Sequence, residues 1–211
     1  MCIFYGGYAM EENKDVRVKP GIAQELYDWV ETFCVALTAV VLVFTFVCRF
    51  VTVDGNSMIE TLHDKDRLII SDLFYTPKTG DIVVVQDTKE PAFKGPIIKR
   101  VIASAGETVD IDFDNWKVTV TDVNGNSRVL DESYVNFVDG EPMANPKDMA
   151  VYYPHAVTEY PHTVAENCVF VMGDNRNNSL DSRYVGDVDR RMVLGKAYLR
   201  IFPFTKAGLL K

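Results

Sequence analysis

The sequence predicts a mainly β protein: a single N-terminal transmembrane helix followed by an all-β domain that carries an inserted hairpin and loop region. Three observations support this. Residues 33–48, FCVALTAVVLVFTFVC, place 14 of 16 positions in the apolar set and carry no charge. After residue 49 the apolar residues come instead in short β-branched runs separated by Gly, Asp, Asn and Pro, the pattern of strands and turns. Asn124-Gly125 stands between two alternating segments, the strongest short hairpin signal in the chain. A length of 211 residues suits one ordinary domain plus an appendage. The mean hydropathy of -0.02 hides the segregation, because without the apolar run the hydrophobic share of 47% falls to roughly 44%.

Residues 1–20 read as a tail, and 21–48 as one helix whose membrane anchor is about 30–48. Pro20 fits the first turn of a helix, and IAQELYDWV at 22–30 is amphipathic. The apolar run would span about 24 Å, a little short of a ~30 Å hydrocarbon core, and Trp29 and Val30 lengthen it. Trp29 would then sit at the headgroup level. A cleavable signal peptide would start nearer the N-terminus and end in small residues, whereas Arg49 and Phe50 follow here. A buried core helix would show a polar face, which the run lacks. The segment therefore predicts a single pass through a lipid bilayer. Charge leaves its orientation open: Lys14, Arg17 and Lys19 on one side are matched by Arg49, Lys65 and Arg67 on the other.

The domain from 49 to 211 shows FVTV, RLIIS, DIVVVQ, IIKRVIA, TVDIDF, WKVTVTDV, CVFVMGD and KAYLRIF, at least eight short strands. WKVTVTDVNGNSRVLDESYV predicts a solvated hairpin, and 137–162, rich in Pro, Tyr, Asp and Asn without periodicity, a long variable surface loop. Together they form an insertion at about 113–160.

Composition also excludes functions. The net charge of -8 is spread over two acidic flanks, so the basic footprint of a nucleic-acid partner is missing. The chain has no HExxH, P-loop, GxSxG elbow or Gly-rich dinucleotide loop, and no metal or cofactor is expected. Its four cysteines have no CxxC spacing and read as free thiols. His63, His155 and His162 read as surface or packing residues.

Three segments can carry chemistry. In DGNSMIETL, 54–62, the residues Asp54, Gly55 and Asn56 force a turn at a strand end that presents Ser57 and its backbone N–H, a nucleophile and half of an oxyanion site. In GPIIKRVIA, 95–103, strand alternation sends Lys99 and Arg100 to opposite faces and puts Lys99 with Ile97 and Val101. Such a lysine either snorkels to water or is desolvated. Lowering its pKa from about 10.4 to about 7.5 would take roughly 4 kcal/mol and leave an amine able to accept a serine proton. In VMGDNRNNSLDSRYVG, 171–186, so many Asp, Asn, Arg and Ser side chains cannot all be core; they form either a stapled polar loop or the support of a dyad.

Taken together, SMIETL at 57–62, KRV at 99–101 and GDNRNNSLDSR at 173–183 closely resemble three boxes of the bacterial type I signal peptidases, in that family's order. These are membrane-anchored serine endopeptidases that remove signal peptides from exported preproteins. The resemblance covers the anchor and the domain after it, while the insertion matches only in kind. It implies Ser57 as nucleophile and Lys99 as general base, a Ser/Lys variant of the serine triad. Ser179 is similar to the family serine that hydrogen-bonds the lysine amine, and Asp181 with Arg183 to its supporting ion pair. Asp174 and Arg176 would help hold the loop, and Met58 would pack beside the nucleophile. The resemblance also implies a cytoplasmic N-terminus, an extracytoplasmic catalytic domain, a monomer, and cleavage after a small-x-small motif. The chain departs from the family twice: Glu60 replaces a common proline, and Gly55 stands where some members carry an oxyanion-donating hydroxyl. A cytoplasmic Ser/Lys autoprotease of the repressor type and a membrane-anchored β binding module remain as alternatives. The first would lack the anchor and the long third box, and the second would lack a reactive serine.

Overall fold

A computed structural model of the chain describes residues 21–86, 95–135 and 153–210. They divide into two units, with the boundary between Val41 and Leu42. Helix α1, Ile22–Phe46, is the one helix among the described residues long and apolar enough to cross a membrane. Its 25 residues correspond to about 37 Å. Leu26, Trp29, Phe33, Leu37 and Val41 are all exposed, an uncovered apolar surface whose natural solvent is lipid. Thr38 keeps its hydroxyl satisfied inside the apolar run by donating to the Cys34 carbonyl at 2.8 Å.

The second unit is β. Its strands are β1 (Arg49–Thr52), β2 (Arg67–Ser71), β3 (Ile82–Val85), β4 (Ile97–Ser104), β5 (Thr108–Asp112), β6 (Lys117–Thr121), β7 (Ser127–Val129), β8 (His162–Thr163), β9 (Cys168–Met172), β10 (Val188–Asp189), β11 (Val193–Phe202) and β12 (Gly208–Leu209), with a short helix α2 at Ser182–Val185. One sheet runs β1-β2-β11-β3-β4-β9-β10 with β12 on β11, and a smaller one runs β7-β6-β5-β8. All pairings are antiparallel. Each of the eight expected runs forms a strand. The two-residue strands β8, β10 and β12 are too short to show a period and were not expected.

Strand β3 is buried at every position because it is covered on both faces. Ile82 and Val84 join Val53, Met58, Leu62, Leu68, Ile70, Ile98 and Ala197, while Val83 and Val85 join Val101, Val169, Val171 and Val188. Each such side chain contributes about 1.5–3 kcal/mol on burial. A third cluster joins the two sheets through Ile102, Phe170 and Met172 on one side and Val109, Ile111, Val118 and Val120 on the other. The hairpin at Asn124-Gly125 forms as expected, with Thr121 opposite Ser127. Its outer arm is exposed at every position, whereas the inner arm alternates, with Val118 and Val120 buried between more exposed neighbours. Of the long loop, 136–152 lies outside the described residues. The end that is described is ordered onto the body: His162 pairs with Asp187 at 2.8 Å, and Val157 N–H donates to the Arg183 carbonyl at 3.0 Å.

Strand β11 passes between β2 and β3 with a register shift at Gly195, where φ is +149° and an added Cβ would lie 2.7 Å from the Ser71 carbonyl. Gly195→Ala is expected to lower stability by about 1–3 kcal/mol, read as a drop in the unfolding midpoint of the detergent-solubilised protein. An unchanged midpoint would show that the bulge relaxes freely.

Candidate active site

The segment after β1 is held in place by its own acids. Val53 N–H donates to the Asp66 carbonyl at 2.8 Å and Lys65 N–H to the Val53 carbonyl at 3.0 Å, which extends the β1–β2 pairing by one step. Gly55 N–H donates to Asp64 Oδ1 at 3.1 Å and pulls that carboxyl below its ordinary range. Asp66, 2% exposed, accepts from His63 N–H and from Arg200, which also reaches the Thr61 carbonyl. Met58 sits in the core against the Ile82 and Ile98 cluster. Ser57 is thereby fixed, half-buried, between a solvated turn and an immobile methionine.

Lys99 lies in the middle of the large sheet, opposite Val83. It is 3% exposed, with Nζ 2.7 Å from Ser57 Oγ and 3.1 Å from the Ile98 carbonyl. Burial among apolar strands pushes the amine down from 10.5 to about 8, while the Asp181 carboxylate pulls it up and the Arg183 guanidinium pushes it down. The fall corresponds to about 3 kcal/mol against the ammonium. The desolvated alternative therefore holds for this lysine. The alternation holds as well: Ile97 and Val101 pack with the Val83 cluster, and Arg100 turns to different partners.

The third segment lies against both residues. Asp181 and Arg183 form a fully buried bidentate pair at 2.8 and 2.9 Å. Asp181 Oδ2 also accepts from Gly173 N–H at 2.9 Å and from Ser179 Oγ at 2.7 Å. Burial opposes this carboxylate, yet Arg183 and these hydrogen bonds hold it below its usual range. The Ser179 hydroxyl is thus committed to Asp181, and a bond from it to the Lys99 amine is not among the hydrogen bonds of the described residues. Gly173 is where the chain passes closest, since a Cβ there would lie 2.2 Å from Ser179 Oγ and 2.5 Å from the Ser57 carbonyl oxygen. Asp174 and Arg176 hold the loop through partners both inside and outside it. Asp174 takes Arg100 at 2.9 and 2.7 Å and the Thr61 hydroxyl at 2.5 Å, while Arg176 takes the Gly173 carbonyl and Glu132.

Arg100, Glu132, Tyr134 and Asn175 are the residues that sequence reasoning missed. The Arg100 guanidinium sits 3.9 Å over the Tyr134 ring, so residues 132–134, assigned above to a variable insertion, brace two arginines of the site. Charge counting carried a signal for this. With Asp174 committed to Arg100, the buried Arg176 requires a carboxylate from elsewhere in the chain.

Among the described residues no group of His, Cys, Asp and Glu could hold a metal ion. Beside Ser57, residues 51–55 and 95–98 line a groove of about 430 Å³. The arrangement is that of a serine hydroxyl in contact with a buried amine beside an open groove.

Residues 26–202 match the family model described as signal peptidase, peptidase S26. The chain is similar to a probable signal peptidase I-2 of Synechocystis sp., 35% identical over 86% of this chain and 77% of the relative. It is similar also to a signal peptidase I of Leptolyngbya laminosa, at 31% over 91% and 87%, and to one of Bacillus licheniformis, at 30% over 93% and 97%.

Removing one partner of a buried ion pair strands the other. Glu132→Ala is therefore expected to cost about 3 kcal/mol, measured by denaturant unfolding. A loss below about 1 kcal/mol, the size of a surface pair, would show that Arg176 is held by its own loop.

Proposed function

The chain belongs to the signal peptidases of peptidase family S26, and from that premise we propose that it is a membrane-bound endopeptidase that cleaves signal peptides from exported preproteins with a Ser57 nucleophile and a neutral Lys99 base. The observation that carries this reading is the 2.7 Å contact between Ser57 Oγ and an amine that is 97% buried. With the amine at about 8, roughly half of it is neutral at pH 8. Neutral Lys99 accepts the Ser57 hydroxyl proton as Oγ attacks the scissile carbonyl carbon. The oxygen of that carbonyl takes the negative charge and is met by the Ser57 N–H. As the tetrahedral centre collapses, the C–N bond breaks and the Lys99 ammonium returns its proton to the leaving amine, leaving an acyl ester on Ser57. Lys99 then deprotonates a water that hydrolyses the ester, and the proton goes back to Ser57.

The groove supports an extended substrate. One wall is the end of β1, an edge strand with unpaired backbone groups, and the other is the segment entering β4. A peptide laid along a sheet edge sends alternate side chains the same way. A groove wall that admits only small side chains at two such alternate positions would select small-x-small, the sequence that ends a signal peptide. Eight residues lie between Cys48 and Ser57, at most about 30 Å of chain, so the nucleophile stays near the bilayer into which the substrate's apolar segment is inserted. Family membership, rather than the tether, is what favours a catalytic domain outside the cell membrane and an N-terminus in the cytoplasm. One chain contributes every group of the site, in keeping with a monomer.

Ser57→Ala and Lys99→Ala are each expected to abolish cleavage of a preprotein by the detergent-solubilised protein, and full activity in either would sink the assignment. Lys99→Arg is also expected to be inactive, because guanidinium stays protonated at any working pH. Activity needs the neutral amine, so kcat/KM should fall tenfold per pH unit below about 8 and level off above it. A profile flat from pH 6 to 10 would exclude Lys99 as base.

A further inference from the structure

The two peptide planes on either side of Ser57 Cα are both held by Asn175. Its backbone N–H donates to the Ser57 carbonyl at 3.0 Å, and its side-chain Nδ2 donates to the Asn56 carbonyl at 3.1 Å. The second contact matters for the chemistry. The Asn56 carbonyl and the Ser57 N–H belong to one planar peptide unit and point in opposite directions. Fixing the oxygen fixes the direction of the N–H and polarises it. That N–H has no acceptor among the described residues, and Ser57 lines the groove. With glycine at position 55, no hydroxyl two residues before the nucleophile shares the task.

Asn175 is well placed for this. It is 3% exposed and sits between Asp174, gripped by Arg100, and Arg176, gripped by Glu132. The orientation of its amide follows from its partner, because a carbonyl can only accept. Its Oδ1 is buried and meets no donor among the described residues.

We propose that Asn175 is a positioning residue of the oxyanion site, holding the Asn56–Ser57 peptide so that the Ser57 N–H faces the developing negative charge. The inference rests on the serine peptidase reading above and deepens it. Whole loss of an oxyanion donor costs on the order of 10²–10³ in rate, and misdirecting one costs part of that. Asn175→Ala should therefore lower kcat for preprotein cleavage about 10- to 100-fold, with KM within about twofold of wild type. Affinity for a peptide boronate, whose adduct on Ser57 is tetrahedral, should fall in parallel with kcat. The pH midpoint of kcat/KM should not move, since the Ser57–Lys99 contact is untouched.

A kcat within about twofold of wild type would overturn the proposal. So would KM and the pH midpoint shifting together with kcat, which is the mark of general distortion. Should the alanine variant fail to fold, Asn175→Asp keeps the volume and the backbone bond while placing an acceptor against the Asn56 carbonyl. It is judged on kcat, KM and boronate affinity by the same criteria. The two readings fail separately: a wild-type protein that does not cleave, or a Ser57→Ala variant that does, removes the serine peptidase. An active wild type with an unaffected Asn175 variant removes only this inference.

Discussion

The site depends on keeping the Lys99 amine out of water while two carboxylates lie close by. Burial disfavours the ammonium, but Asp181 and Asp174 favour it, and either carboxylate left bare would raise the amine back toward its ordinary value. Each is instead covered by an arginine in bidentate contact, Asp181 by Arg183 and Asp174 by Arg100. The arginines thus serve the chemistry through their sign. Arg183 offsets part of the pull that Asp181 exerts on the amine, and desolvation remains the largest effect on it.

Replacing all four charged groups by apolar ones would also keep the amine neutral, and as far as stability goes buried ion pairs are often no better than well-packed hydrophobes. What apolar residues could not supply is direction. Asp181 accepts from Gly173 N–H, from the Ser179 hydroxyl and from Arg183 at once, and Arg183 reaches the Arg176 carbonyl. These bonds bring the Gly173 backbone against the Ser57 carbonyl so closely that no side chain fits between them. The charged network is a spacer of defined dimensions that sets the serine at a hydrogen-bond distance from the lysine.

The sequence reveals much of this because the physics is local. Alternation in IIKRVIA puts Lys99 on an apolar face, Asp-Gly-Asn marks the turn before Ser57, and an uncharged 16-residue run has few uses besides a membrane. What stays hidden depends on contacts between distant segments. Nothing near Glu132 announces a buried carboxylate, and its partner Arg176 is 44 positions away. The Ser179 hydroxyl, implied by resemblance to serve the amine, goes to Asp181 two residues away, a choice between two acceptors that only the folded loop makes. The hairpin was legible as a hairpin, but its burial was not, since Val118 and Val120 are covered by strands 16 or more residues away.

The anchor and the buried amine answer the same problem. On the proposed mechanism, an amine near 8 is only partly neutral at neutral pH, and a serine with one evident backbone donor forms a modest oxyanion site. Such a centre needs its substrate held for long periods in one geometry. An edge-strand groove supplies the geometry through backbone hydrogen bonds that any sequence can make. In the same proposal, a short tether to a membrane helix would supply the encounter, since confining both chains to one surface raises their effective concentration without any added contact. Under that proposal selectivity would rest on two small side chains and on the depth of an apolar segment, features too slight to recruit a substrate from solution.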